Sequence, residues 1–233
     1  MQIRSSQDRG HANHGWLDSY HSFSFANYYD PAWMAYSVLR VINDDIIAPA
    51  KGFGMHSHND MEIITYILQG KLQHKDSLGN GSVIGVGDVQ RMTAGTGITH
   101  SEFNASAENP VHLLQIWIVP NLQNLSPSYE EKFFSEAQKR NQWCLLASEH
   151  AENGALKVHQ DLSLFSTKLG EQKPLSYALK EGRSAYLHVA TGSVTVNQQP
   201  LNAGDAAMFD AAENIQILAS NDAEILLFDL PLD

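Results

Sequence analysis

The sequence predicts an all-β protein built from two antiparallel β-barrels. From Tyr36 to Pro120, and again towards the C-terminus, runs of five to eight β-branched and apolar residues are separated by Gly, Asn and Asp. Short runs of this kind, divided by turn residues, are typical of antiparallel barrels and sandwiches. The strand pattern is lost between residues 121 and 142. We therefore expect two β-domains joined by a linker with a short helix.

An internal repeat supports two similar domains. The order strand, Gly, strand, turn, Gly-Asp, strand occurs around Gly70 and Gly87 and again around Gly192 and Gly204. Repetition of one supersecondary order within a chain indicates duplicated units. We expect an N-terminal domain at residues 1–120, which includes an N-terminal arm, a linker at 121–142 and a C-terminal domain at 143–233.

Two segments lack a clear strand period. Residues 10–31 are crowded with aromatic side chains and His. These aromatic side chains cannot be buried within so short a segment, so we expect an ordered arm that packs against a sheet. In the linker, Ser126 or Ser128 is expected to cap a short helix that holds Tyr129, Phe133 and Phe134.

Composition and charge exclude several classes. The 233 residues are 43% hydrophobic and 18% charged, as in ordinary globular proteins. With 26 acidic and 15 basic residues the net charge is −11, which disfavours direct nucleic-acid binding because phosphates attract Lys and Arg. The N-terminus has no apolar signal core and no run approaches the ~18 apolar residues of a membrane span, so we expect a cytoplasmic protein. Cys144 is the only cysteine, and we expect it to be a small apolar core residue.

The segment from Gly52 to Asn104 predicts a metal site. His56 and His58, and then His100 and Glu102, form two i, i+2 pairs in extended-looking sequence. Residues two apart in a strand point to the same face with Cα atoms roughly 6 to 7 Å apart, so each pair can face one cavity. We expect compact turns just before each pair, at residues 53–55 and 93–97. Three neutral imidazoles and one carboxylate suit Fe(II), Mn, Co, Ni, Cu or Zn and do not choose among them.

Other polar residues near this segment keep open or ordinary roles. Glu62 is an even number of residues from His56 and His58, so it can face the same side as they do. It is a candidate fifth ligand or a hydrogen-bond acceptor for one of the ligands. The alternative is a strand carboxylate that only makes hydrogen bonds. Either parity of the strand from His112, which carries Gln115 and Trp117, could line a pocket, and we assign none of them a catalytic role. His74 lies beside the hairpin turn at residues 79–81, and we expect it to face solvent.

The remaining histidines are expected to pack or to lie at the surface. His11, His14 and His21 have no carboxylate or Cys partners at ligand spacing, so aromatic packing explains them best. His159 has no second ligand at short spacing either. The second copy of the repeat has no His-x-His and no His-x-Glu, so we expect the metal only in the first domain.

The two metal-site motifs resemble those of the cupin superfamily. GFGMHSHNDMEIITYILQG is similar to the first cupin motif and GDVQRMTAGTGITHSEFN to the second. Two departures are visible, since the usual proline of the second motif is replaced around Thr93 and the run from Gly95 to His100 is longer. In both departures the sequence resembles the pirin family. The leading segment RGHANHGWLDSYHSFSFANYYDP is also similar to that family. The resemblance extends to bacterial pirin-like quercetin dioxygenases.

This resemblance implies a fold, a metal and an activity. The fold is a bicupin, two jelly-roll barrels packed face to face, and His56, His58, His100 and Glu102 bind one divalent ion, most readily Fe(II). The implied activity is that of a quercetin 2,3-dioxygenase, which opens a flavonol ring with O2 and releases carbon monoxide. In that reaction Glu102 orients the flavonol or accepts its proton. The alternative is a metal- or redox-responsive protein that regulates a protein partner, with incidental quercetin turnover.

Overall fold

The computed structural model describes residues 1–232, and within them the chain forms twenty-two strands and one short α-helix. The strands of the first part are β1 (Gln2–Arg4), β2 (Gly10–Asn13), β3 (Leu17–His21), β4 (Leu39–Ile47), β5 (Gly52–His58), β6 (Glu62–Gln69), β7 (Lys71–Asp76), β8 (Gly81–Gly85), β9 (Asp88–Thr93), β10 (Ile98–Asn104), β11 (Val111–Ile118) and β12 (Ser128–Phe133).

The second part begins with the helix α1 (Glu136–Lys139). Its strands are β13 (Cys144–Ser148), β14 (Leu156–Lys157), β15 (Ser163–Leu169), β16 (Pro174–Ala178), β17 (Arg183–Thr191), β18 (Ser193–Val196), β19 (Gln199–Asn202), β20 (Ala206–Phe209), β21 (Asn214–Ala219) and β22 (Ala223–Pro231). Two 3₁₀ turns lie at Ser6–Asp8 and Glu152–Gly154. No helix among residues 1–232 is long and apolar enough to cross a membrane.

By their contacts, the described residues form two compact units. The N-terminal unit comprises Gly10–Phe133 with Val158–Gln160, and the C-terminal unit comprises Met1–Arg9, Phe134–Lys157 and residues 161–232. The first nine residues join the C-terminal unit because β1 pairs with β20. Because β1 and β20 are far apart in the sequence, the residues around β1 do not indicate which strand it pairs with. The domain boundaries at 120 and 142 stay a prediction.

The N-terminal unit is a pair of antiparallel sheets. One sheet has the strand order β12-β9-β6-β11-β4-β3-β2 and the other has the order β5-β10-β7-β8. Apolar side chains of both sheets form one buried cluster, in which Ile47 and Ile67 of the first sheet meet Leu72 and Ile84 of the second. Burial of this cluster holds the sheets together.

The C-terminal unit repeats this plan. Its larger sheet has the order β1-β20-β17-β22-β15-β13-β14 and its smaller sheet the order β16-β21-β18-β19. Leu187 and Leu227 pack with Val194 and Ile217 in its core, and Cys144 is buried in this unit as predicted. The predicted all-β fold with two jelly-roll units is confirmed, although each unit is a pair of open sheets and not a closed barrel.

Backbone geometry at the repeated glycines matches between the units. Gly70 and Gly192 have φ of 80° and 78°, and each links a strand of the larger sheet to one of the smaller sheet. A Cβ on Gly70 would lie 2.8 Å from the Pro110 carbonyl oxygen, so both the conformation and the space require glycine. The structure thus gives the sequence repeat a physical cause.

The linker prediction is wrong in detail. Ser128–Phe133 is the strand β12, which pairs with β9, and not a helix capped by Ser126 or Ser128. The helix begins later, where Ser135 donates its backbone N–H to the Gln138 side chain at 2.8 Å. β12 lies at the edge of its sheet and its exposure does not alternate regularly, so the sequence carries little strand signal.

Residues 10–31 also differ from the expected arm. They supply β2 and β3, which extend the larger sheet beyond β4. In β3 the buried residues alternate regularly, but two of them are the polar Ser19 and His21. Because inward positions are polar, the hydrophobic alternation that marks a strand is missing here.

Candidate metal centre and its cavity

Neighbouring strands of the smaller sheet carry the four predicted ligands. His56 and His58 lie on β5, and His100 and Glu102 lie on β10, with His100 directly opposite His56. The register shifts between His100 and Glu102, which is a β-bulge in the pairing with β5. Residues 53–55 belong to β5 and do not form the predicted turn, whereas residues 94–97 do turn before β10.

The three imidazoles converge. Ligand nitrogens of His56, His58 and His100 all lie within 4.8 Å of one another, and the Nε2 atoms of His58 and His100 are 3.0 Å apart. Nitrogens bound at ~2.1 Å to one ion at roughly right angles are also about 3 Å apart. The Nδ1 of His56 lies 2.8 Å from the carbonyl oxygen of Gly54. That contact orients the ring and leaves its Nε2 for a ligand bond.

Electrostatics keep two of these rings neutral. Burial, assisted by the neighbouring His56, lowers the pKa of His58 to about 4. Burial and the adjacent histidines lower the pKa of His100 to about 3. A neutral imidazole with a free lone pair is the form that binds a metal ion. The donor set therefore fits a divalent transition metal.

The carboxylate of Glu102 is held in place by hydrogen bonds from Gln115. Its carboxylate is 3% exposed, and Gln115 Nε2 donates to both oxygens at 3.1 and 2.9 Å. The Thr65 hydroxyl lies 3.4 Å from Glu102 Oε1 and 3.1 Å from Gln115 Oε1. Burial raises the pKa of Glu102 despite these hydrogen bonds. Gln115 thus has a positioning role that the sequence left unassigned.

His74 contradicts its prediction. It is fully buried, not solvent-facing, and its ligand atom lies within 4.8 Å of those of His100 and Glu102. Its Nε2 is 3.1 Å from Asp76 Oδ2 and its ring stacks on Tyr129 at 4.7 Å. Within β7, His74 alternates with the buried Leu72, a period-2 signal that would have indicated an inward side chain.

Two overlapping groups of donors therefore exist among residues 1–232. The first contains His56, His58 and His100, and the second contains His74, His100 and Glu102. Both lie in the N-terminal unit. The assignment of the four predicted residues as the ligands of one ion stays a prediction.

Glu62 lies in neither group. It is fully buried on β6, and its Oε1 lies 3.2 Å from Nδ1 of His159. Burial raises the pKa of Glu62, while Thr93 and Arg91 favour the charged carboxylate. Its observed partners are those of a hydrogen-bonded strand carboxylate, one of the alternatives that the sequence left open.

A cavity of about 510 Å³ opens beside the first donor group. Aromatic and aliphatic side chains form much of its wall, namely Leu17, Phe25, Tyr28, Phe53, Ile63 and Trp117. His11, His14 and His21 also reach it; His11 stacks on Tyr20 at 4.3 Å, as aromatic packing predicts. An apolar cavity with a few polar groups is typical of a site for a small molecule.

The chain is similar to known proteins over nearly its whole length. Residues 2–118 match the family model Pirin, and residues 145–230 match the model of the quercetinase C-terminal cupin domain. Quercetin 2,3-dioxygenase of Escherichia coli (strain K12) is 46% identical over 231 residues, which is 99% of each chain. A pirin-like protein of Caulobacter vibrioides is 43% identical and covers 94% of this chain and 95% of its own.

Solved structures give the same result. The crystal structure of YhhW from Escherichia coli has a TM-score of 0.95 and 45% identity, with 100% of this chain and 98% of that chain covered. A second crystal structure, of bacterial pirin YhhW from Escherichia coli in complex with nickel(II), has a TM-score of 0.94 and 45% identity, and covers 100% and 99% of the two chains.

Proposed function

The chain belongs to the pirin family of the cupin superfamily, and we propose that it is a metal-dependent quercetin 2,3-dioxygenase that opens a flavonol ring with O2 and releases carbon monoxide. The observation that carries this proposal is the convergence of three imidazoles at the wall of a largely apolar cavity, which the buried carboxylate of Glu102 also lines. The full-length similarity to the E. coli quercetin 2,3-dioxygenase supports it.

The proposed ligands are His56, His58, His100 and Glu102, and the proposed ion is Fe(II), with Mn, Co, Ni, Cu and Zn as alternatives. Nitrogen and carboxylate donors suit all of these ions. When bound, such an ion supplies Lewis acidity towards the flavonol 3-oxygen and favours its deprotonated form.

Glu102 is the proposed proton acceptor. Its carboxylate is buried and lines the cavity, so a hydroxyl group bound there can transfer a proton to it. The flavonol 3-hydroxyl would transfer its proton to a Glu102 oxygen, and the O–H electron pair would stay on the flavonol. Gln115 restrains this carboxylate through two hydrogen bonds and so fixes the direction of the transfer.

The cavity wall would orient the substrate and exclude water. Trp117 and Phe53 lie close to the histidines, with ring centroids 4.9 Å apart for Trp117 and His58 and 6.3 Å for Phe53 and His56. Flat aromatic rings stack favourably on such side chains. Exclusion of water strengthens the electrostatic interactions of Glu102 with the reacting hydroxyl.

An aerobic assay tests this proposal. Protein loaded with Fe(II), Mn or Ni should consume quercetin and release one carbon monoxide per flavonol with at least one of these ions. Glu102→Gln, which keeps the shape and removes the base, should lose most of the activity. If none of the loaded proteins consumes flavonol or releases carbon monoxide, the proposal is wrong.

A further inference from the structure

A row of polar side chains crosses the larger sheet of the N-terminal unit. Thr65, Gln115, Asn43 and His21 lie directly opposite one another on β6, β11, β4 and β3. Near one end of the row, next to Thr65, Gln115 donates a hydrogen bond to Glu102. At the other end His21 Nδ1 lies 2.8 Å from Asn43 Oδ1. Three of the four, all except Thr65, line the cavity.

A second polar pair adjoins the far end of this row. Ser19 lies directly opposite Asp45 on the neighbouring strand and donates its hydroxyl to Asp45 Oδ1. The Ser19 hydroxyl is also 3.4 Å from His21 Nδ1. Ser19, His21, Asn43 and Asp45 are each no more than 4% exposed, and all four line the cavity. We call these four residues the distal polar cluster.

The distal polar cluster is costly for the fold. Burial raises the pKa of Asp45 to about 7, and the neighbouring Asp44 and Glu102 add to this effect. A buried carboxyl group destabilises a protein unless hydrogen bonds compensate it. Apolar side chains at these inward positions would extend the core of Ile47 and Leu17, so the fold alone does not require polar residues here.

The distal polar cluster is separated from Gln115, which holds Glu102, by a distance that one ligand can span. Asp45, on the strand next to that of Gln115, lies opposite Leu113, so one strand spacing and two residues separate Gln115 from Asp45, roughly 8 Å. A rigid molecule that places one oxygen near Glu102 can therefore extend across the aromatic wall to Asp45. A few convergent polar groups in an apolar cavity fix the orientation of a ligand.

We propose that the distal polar cluster binds a phenolic hydroxyl on the flavonol ring remote from the 3-oxygen, with Asp45 as the acceptor. This inference rests on the proposed function and names its specificity determinant. The site selects polyhydroxylated flat aromatic molecules and discriminates against those that lack the remote hydroxyl, because the carboxyl oxygen of Asp45 that Ser19 does not occupy would then miss a hydrogen bond.

Two flavonols test this proposal by binding. Quercetin carries hydroxyls on both outer ring systems, whereas 3-hydroxyflavone has only the 3-hydroxyl. Calorimetry on nickel-loaded protein without O2 should give a Kd for quercetin that is at least 10-fold lower. Asp45→Leu, which is similar in shape and apolar, should bring the ratio of the two Kd values close to 1, chiefly by weakening quercetin binding. Asp45→Asn is the second variant, for use if the leucine variant does not fold. It should give a ratio between that of the wild type and 1.

Asp44→Asn is the matched control. Asp44 precedes Asp45 on the same strand, pairs with His112 at 2.6 Å and does not line the cavity. It should keep the wild-type ratio. An unchanged ratio in both Asp45 variants, with wild-type turnover of quercetin intact, would overturn this inference alone. Failure of the wild type to bind either flavonol would overturn the inference and the proposed function together.

Discussion

The Nε2 atoms of His58 and His100 lie 3.0 Å apart, and burial keeps both rings neutral at neutral pH. Two charged imidazoles could not approach so closely in a buried site, because their repulsion would be only weakly screened. A cation between the two lone pairs would use both nitrogens as ligands. This pair therefore links the metal assignment to measurable behaviour.

Removal of one imidazole should remove most of the metal. His100→Ala deletes a donor that belongs to both candidate groups, and His56→Ala deletes a donor of the first group only. Elemental analysis after gel filtration should show that both variants lose most bound ion. His112→Ala, which removes a histidine paired with Asp44 away from the cavity, should keep it. Full stoichiometry in His100→Ala or in His56→Ala would contradict the predicted ligand set.

The metal-free protein should become less stable as the pH falls below 6.5. Above that pH His58 and His100 are neutral in the folded and unfolded chains alike. Between pH 6.5 and about 4, the unfolded chain binds protons that the folded chain does not, so folding loses stability as pH decreases. At pH 5 the loss is up to about 2 kcal/mol for a fully buried histidine, and less for the partly exposed His58.

Urea unfolding at several pH values measures this effect. The double variant His58→Gln, His100→Gln should show a smaller slope of unfolding free energy against pH between 4.5 and 6.5. His112→Gln serves as the control and should not reduce the slope in the same way. Equal slopes in the wild type and the double variant would contradict the neutral state of these two rings.

Gly52 should be essential to the geometry of β10. A Cβ at Gly52 would lie 2.1 Å from the backbone oxygen of Glu102 and 2.5 Å from the Cα of Phe103, so the strands must separate. Gly52→Ala should lower metal affinity and reduce thermal stability. Gly54→Ala meets no atom within 4 Å and should behave as the wild type. Calorimetric melting with a metal titration compares the two, and similar behaviour of both variants would sink this explanation.

His74 should orient His100. The Nδ1 atoms of both rings are buried and have no hydrogen-bond partner among residues 1–232, and the ring centroids are 5.3 Å apart. A hydrogen bond between them would fix His100 once its Nε2 binds the ion, and Asp76 would fix His74 in turn. Loss of such a partner lowers metal affinity about 10- to 100-fold.

Competition with a chelator measures this loss in His74→Gln. The visible spectrum of the cobalt-loaded variant should shift, since the orientation of one ligand changes. His112→Gln removes a different His–Asp pair and should leave both affinity and spectrum unchanged. An unaltered affinity and spectrum in His74→Gln would mean that His74 only fills space.

The sequence predicted the donor histidines because strand alternation is a local property. His56 and His58, like His100 and Glu102, are two apart, so their common face could be inferred without any tertiary structure. The repeated glycines could also be recognised in the sequence, because a positive φ favours glycine at each of these positions.

The distal polar cluster was not predictable in this way. Ser19, Asn43 and Asp45 occupy inward positions of β3 and β4, where the sequence pattern favours apolar residues. Their burial depends on which strands pair, and that pairing is long-range. The predicted exposure of His74 is wrong because burial in β7 follows the alternation with Leu72, and the nearby hairpin turn does not change it.

Anomalous diffraction from a crystal of the nickel-loaded protein tests the central claim most directly. We predict a single strong peak at the edge of the cavity. It should lie at coordination distance from nitrogens of His56, His58 and His100 and from one oxygen of Glu102. A peak bonded to His74 in place of His56 and His58, or no peak near His100, would contradict the account.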